Sequence, residues 1–483
     1  MKDPTGSAEH RTEHGTEQRT EHSTELADVP AVQLVAGYAQ KEFSPVEVIE
    51  SVLARVEAYE PRLRATYALD AEGARKAAHA SELRWRRGEP AGPLDGVPVT
   101  VKENIATQGT PVPLGTAATD LIPAEADAPA AARLREGGAV IFTKTTMPDL
   151  GMLSSGASSF HHLSRNPWDL SRTPGGSSAG AGAAGAAGYG PLHLGTDIGG
   201  SVRLPAGWCG LVGLKPSYGR VPVHPPYPGR AIGPLTRTVA DAALLLSVVS
   251  APDARDHTAL PPTDTDWAQL DVDVRGLRIG LLLDGGTGLP VEPAVADAVT
   301  TAALAFEAAG AVVEPVQPVL TREMLDGLDS FWRMRAWLDL SALPAERRAK
   351  VLPGILAWAE GGKDLSGPEV FRGFSQMDAM SVAANRLTRT HDFLLSPVAP
   401  IPAFRAELAY PTDDPALPLE HIAFTVPFNM SGQPAVSVNC GWTPDGLPIG
   451  LQIAGRRFDD LGVLRMARAY EDLRPAQRPW PSL

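Results

Sequence analysis

Cysteine is nearly absent: Cys209 and Cys440 are the only two among 483 residues. Two cysteines cannot build a disulfide framework, so stability must come from an apolar core. The 43% hydrophobic content supplies one. Cys209 follows Trp208 in an apolar stretch and reads as a small buried residue rather than a thiol nucleophile. Positive charge is also short, and the formal net charge is −13. That argues against a basic face for phosphate backbones, so no nucleic-acid partner is expected. No apolar run reaches the roughly 18–20 residues that span a membrane, and no apolar signal core opens the chain. A cytoplasmic protein without membrane contact is expected. Histidine is scarce as well: 11 in all, three of them within the first 22 residues.

Those first residues stand apart. Arg11-Thr-Glu-His14, Gly15-Thr-Glu-Gln18, Arg19-Thr-Glu-His22 and Ser23-Thr-Glu-Leu26 form a four-residue repeat with almost no apolar side chain. Burial cannot offset the entropy of ordering it, so residues 1–28 are expected to be a disordered tail and 29–483 the folded domain. His10 and His14 would share a face if the tail were helical and could then bind metal, but solvated low complexity explains them more simply.

Beyond the tail, helix and strand signals alternate. Val32 to Ala58 carries apolar residues at helical spacing, with Ser44-Pro45 opening its second part as cap and first-turn proline. Val97–Val101 is a β-branched core strand, Ala128–Glu136 a helix stopped at Gly137-Gly138, and Ala139–Phe142 the next strand. Ala179–Ala187 and Val239–Val249 read as helices, Leu277–Leu283 as a buried strand, and Val291–Ala309 as an amphipathic helix. Residues 321–390 are mostly helical and are expected to form a variable substrate-pocket segment; its aromatics, Phe331, Trp332, Trp337 and Trp358, are expected to be mainly core. Pro427–Val438 and Ile449–Ala454 return to the core pattern. The rhythm predicts an α/β fold: a single large domain with a mixed, twisted sheet covered by helices.

The most informative stretch runs from Thr173 to Pro222. Gly175-Gly176 and Gly199-Gly200 each deliver a serine, Ser177 and Ser201. Glycines allow close backbone approach, and the second pair can aim successive N–H groups at one point. A flexible linker would lack the Leu, Val, Ile, Trp and Cys interleaved here. Upstream, Lys102 ends an apolar strand, 75 residues before Ser177. Buried, it would lose hydration and become a neutral base; at a strand end it could equally reach solvent. His193, oriented by Asp197, is the alternative base, and His161-His162 could line a pocket.

GGSSAGAGAA (175–184), GTDIGGSVRLPA (195–206), GLVGLKPSYGRVP (210–222) and GPLDGVPVTVKENI (92–105) together resemble the amidase signature family of serine hydrolases. MPDLG (147–151), RNPWD (165–169) and IGPLTRTVADAALLL (232–246) extend the resemblance, which covers about Leu34 to Trp480. It implies Ser201 as nucleophile, Ser177 as bridging serine on a cis Gly176–Ser177 peptide, and Lys102 as base. It further implies an oxyanion hole from the N–H groups of Ile198, Gly199, Gly200 and Ser201. Ser178, Thr196, Asp197 and Arg203 would support the site, and Met152, Leu153, Ser154 and Ser155 would touch substrate. No metal or organic cofactor is implied, and family habit allows a homodimer.

The expected activity is hydrolysis of linear carboxamide C–N bonds in a small-molecule amide through a Ser201 acyl-enzyme. Medium-sized apolar or aryl amides are favoured, with carbamates (urethanes) and esters as further substrates. The alternatives are the glutaminase component of a tRNA-dependent amidotransferase and a non-catalytic scaffold. Two departures from the family stand out: Glu103 where aspartate is usual, and an apolar Thr110–Gly115 loop that hints at an apolar entrance.

Overall fold

Apolar β-branched runs become the strands of one sheet. In the computed structural model, which describes Met1, residues 26–412, Asp414 and residues 416–483, eleven strands form it. They are β1 (Thr66–Tyr67), β2 (Pro98–Lys102), β3 (Val140–Thr145), β4 (Leu192–Asp197), β5 (Val212–Lys215) and β6 (Ala231–Thr236). β7 (Arg278–Leu281), β8 (Val312–Pro315), β9 (Phe393–Pro397), β10 (Ala435–Trp442) and β11 (Pro448–Ala454) complete it. The order across the sheet is β1-β3-β2-β4-β6-β5-β10-β11-β9-β7-β8. β2 runs parallel to β3 and β4, and β7 to β8 and β9, while every other pairing is antiparallel. With fourteen α-helices among the described residues, this is the single large α/β domain with a mixed sheet that the sequence predicts.

The tail repeat, residues 2–25, lies outside the described residues. Leu26, Ala27 and Asp28, which the sequence assigns to the tail, belong to the body instead. Leu26 and Ala27 are buried, and Asp28 pairs with Arg55 at 2.9 Å and Arg237 at 2.6 Å. The apolar pair after the last repeat is what marks the change. Among the described residues no helix is long and apolar enough to cross a membrane.

Local signals explain the element ends. Ser44 and Glu47 form a reciprocal capping box with Pro45 in the first turn, which opens the helix Pro45–Leu63. The helices Ala179–Ala187 and Val239–Val249 match their sequence patterns end to end. Leu277–Leu283 pairs only over Arg278–Leu281, because the flanking residues run past the end of β8.

Two packing regions matter for function. β2 and β4 are buried along their whole length, with Val99, Val101, Leu192 and Leu194 in the main core. A second apolar cluster joins Leu325, Leu328, Trp332 and Ala336 of the helix Arg322–Ser341 to Leu153, Leu204 and Trp208 near the glycine turns. Helices Arg322–Ser341, Pro353–Glu360 and Gly367–Thr390 thus roof the segment that carries Ser201.

The glycine–alanine helix Ala179–Ala187 is buried at every position. A β-carbon on Gly180 would lie 2.1 Å from the Ala65 carbonyl and 2.5 Å from the Thr146 nitrogen, both backbone atoms that cannot swing away. Gly180→Ala is therefore expected to lower stability by roughly 1–3 kcal/mol through overpacking. Gly367→Ala, where a β-carbon meets nothing within 4 Å, should cost nothing. Equal urea midpoints for the two variants would show that the helix is not seated this closely.

Candidate active site

Two strand ends place the titratable groups. Val101 pairs with Leu194 in the parallel β2–β4 register, which carries Lys102 alongside Gly195 and Thr196. Lys102 is fully buried. Its Nζ lies 2.8 Å from Ser177 Oγ and donates to Thr196 Oγ1 at 2.9 Å. Asn104 Nδ2 donates to the same threonine oxygen at 3.2 Å. Burial pushes the Lys102 ammonium down to about 7; Asp197 and Glu103 pull it partly back, and Arg230 adds to the depression. Lys144 and Lys215 are depressed to about 7 by burial as well. Their amines, however, bond the carbonyls of Ile105 and Pro216 rather than a serine.

Ser177 follows a turn that only glycine can make. Gly175 has φ +86°, and a β-carbon there would touch Pro205 at 2.8 Å; one on Gly176 would touch the backbone of Leu153 and Ser155 within 2.7 Å. The Gly176–Ser177 peptide bond is cis. The Ser178 N–H donates to the Ser201 carbonyl at 3.2 Å, which joins the two serine turns side by side. Ser178 Oγ bonds the backbone of Thr196, donating to its carbonyl at 3.2 Å and accepting from its N–H at 3.3 Å. Ser178 thus fixes the end of β4 beside Ser177.

Asp197 and Arg203 organise the second turn. Both side chains are fully buried, and they pair at 2.9 Å. Asp197 also accepts from the N–H groups of Gly200 (2.8 Å) and Val202 (3.1 Å) and from Asn429 Nδ2 (2.8 Å). Arg203 spends its remaining donors on the Thr425 carbonyl, Gln452 Oε1 and Asn429 Oδ1. Burial pushes the Asp197 carboxyl up, but Arg203, Asn429 and Lys215 outweigh it and hold it well below the usual carboxylate range. Arg203 therefore orients Asp197 and nearby carbonyls, as the sequence indicates.

This turn corrects one expectation. The Gly200 N–H is committed to Asp197, and the carbonyl on the same peptide, Gly199, accepts from Thr425 Oγ1 at 2.6 Å. That peptide plane is held at both ends, so Gly200 has no donor left for an oxyanion. Among the described residues the N–H groups of Ile198, Gly199 and Ser201 have no partner, and all three residues line one cavity while Gly200 does not.

The cavity is a partly open cleft with about 630 Å³ of empty space, the solvent at its mouth included. Met152, Leu153 and Ser154 line it as expected. Ser155 does not: it is fully buried behind the wall, with its backbone against Gly176. Thr110–Gly115 contributes nothing to the lining either. It braces the wall from behind, the Leu114 carbonyl accepting from Leu150 N–H at 2.7 Å. The apolar surface comes instead from Trp332, Trp358, Pro418, Leu419 and Ile422, with Arg335, Tyr410 and His421 beside them. Trp332 and Trp358 serve as core and lining together.

The competing nucleophile and base fall away. His193 is buried, its Nε2–H donates to the Gly190 carbonyl at 3.1 Å, and its Nδ1 accepts from Thr100 at 2.8 Å. Burial pushes it down to about 3, so it is a neutral structural residue. His161 pairs with Glu103 at 2.5 Å away from the cavity, and His162 is exposed. Cys209 is buried with its thiol pushed up. The segment 321–390, expected to carry the substrate pocket, supplies Trp332, Arg335 and Trp358 to the lining, whereas Thr425, Asn429, Gln452 and the wall from Tyr410 to Ile422 were missed; they lie more than 120 residues from the serine motifs and carry no local signature. Asn104, two residues past Lys102, was within reach.

Asp197→Asn leaves Arg203 without its buried charge partner. A loss of about 3–5 kcal/mol is expected, read by urea unfolding, together with loss of activity as the turn relaxes. A variant as stable as the wild type would show that the pair does not hold the turn.

Comparison with known proteins gives the family of this chain. The family model described as Amidase matches residues 47–464. A glutamyl-tRNA(Gln) amidotransferase subunit of Myxococcus xanthus (strain DK1622) is 37% identical, over 92% of this chain and 97% of its own. A solved bacterial aryl acylamidase of the amidase signature family superposes with a TM-score of 0.86 at 31% identity, covering 92% of this chain and 96% of its own. 6-Aminohexanoate cyclic dimer hydrolase superposes with a TM-score of 0.84 at 28% identity, covering 94% and 98%. Matched from end to end of its sheet, this chain belongs to the amidase family, whose members hydrolyse carbon–nitrogen bonds.

Proposed function

We propose that this chain hydrolyses medium-sized carboxamides with an apolar or aryl acyl part, through an acyl-enzyme on Ser201. The observation that carries the reading is the 2.8 Å contact between a fully buried Lys102 amine and Ser177, beside a Ser201 that opens on an apolar cavity. A neutral amine keeps one lone pair. That lone pair can accept the Ser177 proton while an N–H still donates to Thr196. Ser177 then takes the proton of Ser201 as its oxygen bonds the amide carbon. The carbonyl electrons move onto oxygen, facing the N–H groups of Ile198, Gly199 and Ser201. Collapse breaks the C–N bond, and the proton returns through Ser177 to the leaving nitrogen. Water releases the acid from Ser201 by the same path. Each oxyanion donor of this kind is worth roughly 3–4 kcal/mol.

A second reading is the glutaminase component of a tRNA-dependent amidotransferase. The curated relatives, which carry the amidotransferase name, favour it more directly than they favour an aryl-amide hydrolase. Glutamine, however, brings an ammonium beside its carboxylate. Among the described residues no Asp or Glu side chain lines the cavity to receive it. The same lining disfavours neither carbamates nor aryl esters, whose carbonyl would meet Ser201 in the same way.

Release of p-nitroaniline from neutral acyl anilides, with glutamine assayed in parallel, separates the readings. The wild type should turn over anilides, and Ser201→Ala should not. Glutamine turnover without anilide turnover would replace the first reading by the second. Activity surviving in Ser201→Ala would remove both.

The pH profile tests the base. Below about pH 7 the lysine is protonated and cannot accept, so kcat/KM should fall tenfold per unit there and level off above. Lys102→Ala should cost about 10²–10⁴-fold and abolish that limb. An optimum near pH 5, or an unchanged ascending limb in the variant, would assign the base elsewhere.

A further inference from the structure

We propose that Arg335, with the indole N–H of Trp332 and the hydroxyl of Tyr410, forms a carboxylate subsite in the cavity wall. The amides this site takes would then carry an anionic group remote from the scissile bond. This rests on the hydrolase reading above and narrows its substrate class.

Three observations converge on it. The first is unspent hydrogen-bonding capacity. Trp332 Nε1 and Tyr410 Oη are buried without a hydrogen-bond partner, on residues that line the cavity with Ser201. Buried donors without partners carry a penalty that a ligand acceptor removes.

The second is the kind of groups present. Arginine and tryptophan only donate, and a tyrosine hydroxyl readily does. An ionised carboxylate only accepts, and its two oxygens match the guanidinium fork. An amine or ammonium end would find no carboxylate among the described lining residues.

The third is charge. Arg335 stacks on Tyr227 at 4.3 Å, and Arg230 lies over the same ring at 5.4 Å. Among the described residues the carboxylate paired with Arg335 is Asp339, 3.8 Å away and 64% exposed, too solvated to neutralise both. Burial and the neighbouring Arg335 together depress Arg230 to about 10, while Tyr227 and Asp339 raise it. An anion bound at Arg335 would relieve that repulsion.

The test uses two p-nitroanilides of equal shape: glutaryl, ending in a carboxylate, and 5-methylhexanoyl, ending in the isosteric isopropyl group. The readout is the ratio of their kcat/KM values, which a partly misfolded preparation leaves unaltered. The wild type should prefer the glutaryl substrate. Arg335→Gln should collapse the ratio by at least about tenfold, the loss of one bond to a charged group. Arg335→Lys should retain part of the preference, and Arg230→Gln should lower it less than Arg335→Gln. A ratio that favours the neutral substrate in the wild type, or is the same in Arg335→Gln, would overturn the subsite while leaving the hydrolase reading in place. Turnover of neither substrate would overturn both.

Discussion

The buried pair of Asp197 and Arg203 is the constraint on which the rest of the site depends. A carboxylate and a guanidinium taken fully out of water are tolerated only when nearly every donor and acceptor is used. Here they are: Asp197 gathers the N–H groups of Gly200 and Val202, and Arg203 reaches the Thr425 carbonyl, Gln452 and Asn429. The demand of the pair for hydrogen bonds sets the shape of the turn. Gly200 N–H answers Asp197 and the Gly199 carbonyl answers Thr425, while among the described residues the N–H groups on either side have no protein acceptor. An anion stabiliser of this kind comes from the turn's unspent donors, and the ion pair decides which donors are unspent.

The lysine depends on a different property, dryness. Its amine is depressed chiefly because water cannot reach it, and water is excluded because Ala179–Ala187 lies directly against the strands. Gly180 sits where a β-carbon would collide with backbone, and Gly185 where one would press on Leu211 and His193. The glycines that make this helix a poor helix former by propensity let it close over Lys102. Burial alone does not make a base, since Lys144 and Lys215 are shifted just as far. What distinguishes Lys102 is its register on β2, which points its amine at a serine instead of a carbonyl.

Much of this was legible in the sequence for a physical reason. Segments whose function requires close backbone approach cannot hide it: Gly175-Gly176, Gly199-Gly200 and the Ala/Gly helix announce themselves by composition. The β-branched run before Lys102 likewise gives both strand and burial. The Gly200 error came from counting N–H groups along the chain without asking which were already bonded. Ser155 was misplaced because four consecutive residues cannot all face one cavity. Leu26–Asp28 were assigned to the tail by continuity with the repeat, although the apolar Leu26-Ala27 breaks it. The tryptophans of 321–390 marked one part of the wall, but Thr425, Asn429, Gln452 and the stretch from Tyr410 to Ile422 had no signal to read, since ordinary helix and loop residues become a site only through long-range packing.

That division explains why the comparisons lean two ways. The serine turns, the lysine strand and the ion pair are tied to the sheet and to one another, so a change in any one of them disturbs the others. The cavity wall is built on the helices over residues 322–390 and the following loop, which touch the sheet mainly through apolar packing. Apolar packing tolerates exchange of one large side chain for another, whereas a buried charge pair does not. Substrate choice can therefore change in the wall without disturbing the chemistry beneath it, so overall similarity does not name the substrate. This chain superposes closely on an aryl acylamidase and is 37% identical to a subunit of an amidotransferase. In the proposed reading, Ser201 and Lys102 would fix which bond is cut, and Trp332, Arg335, Trp358 and Tyr410 would fix whose bond it is.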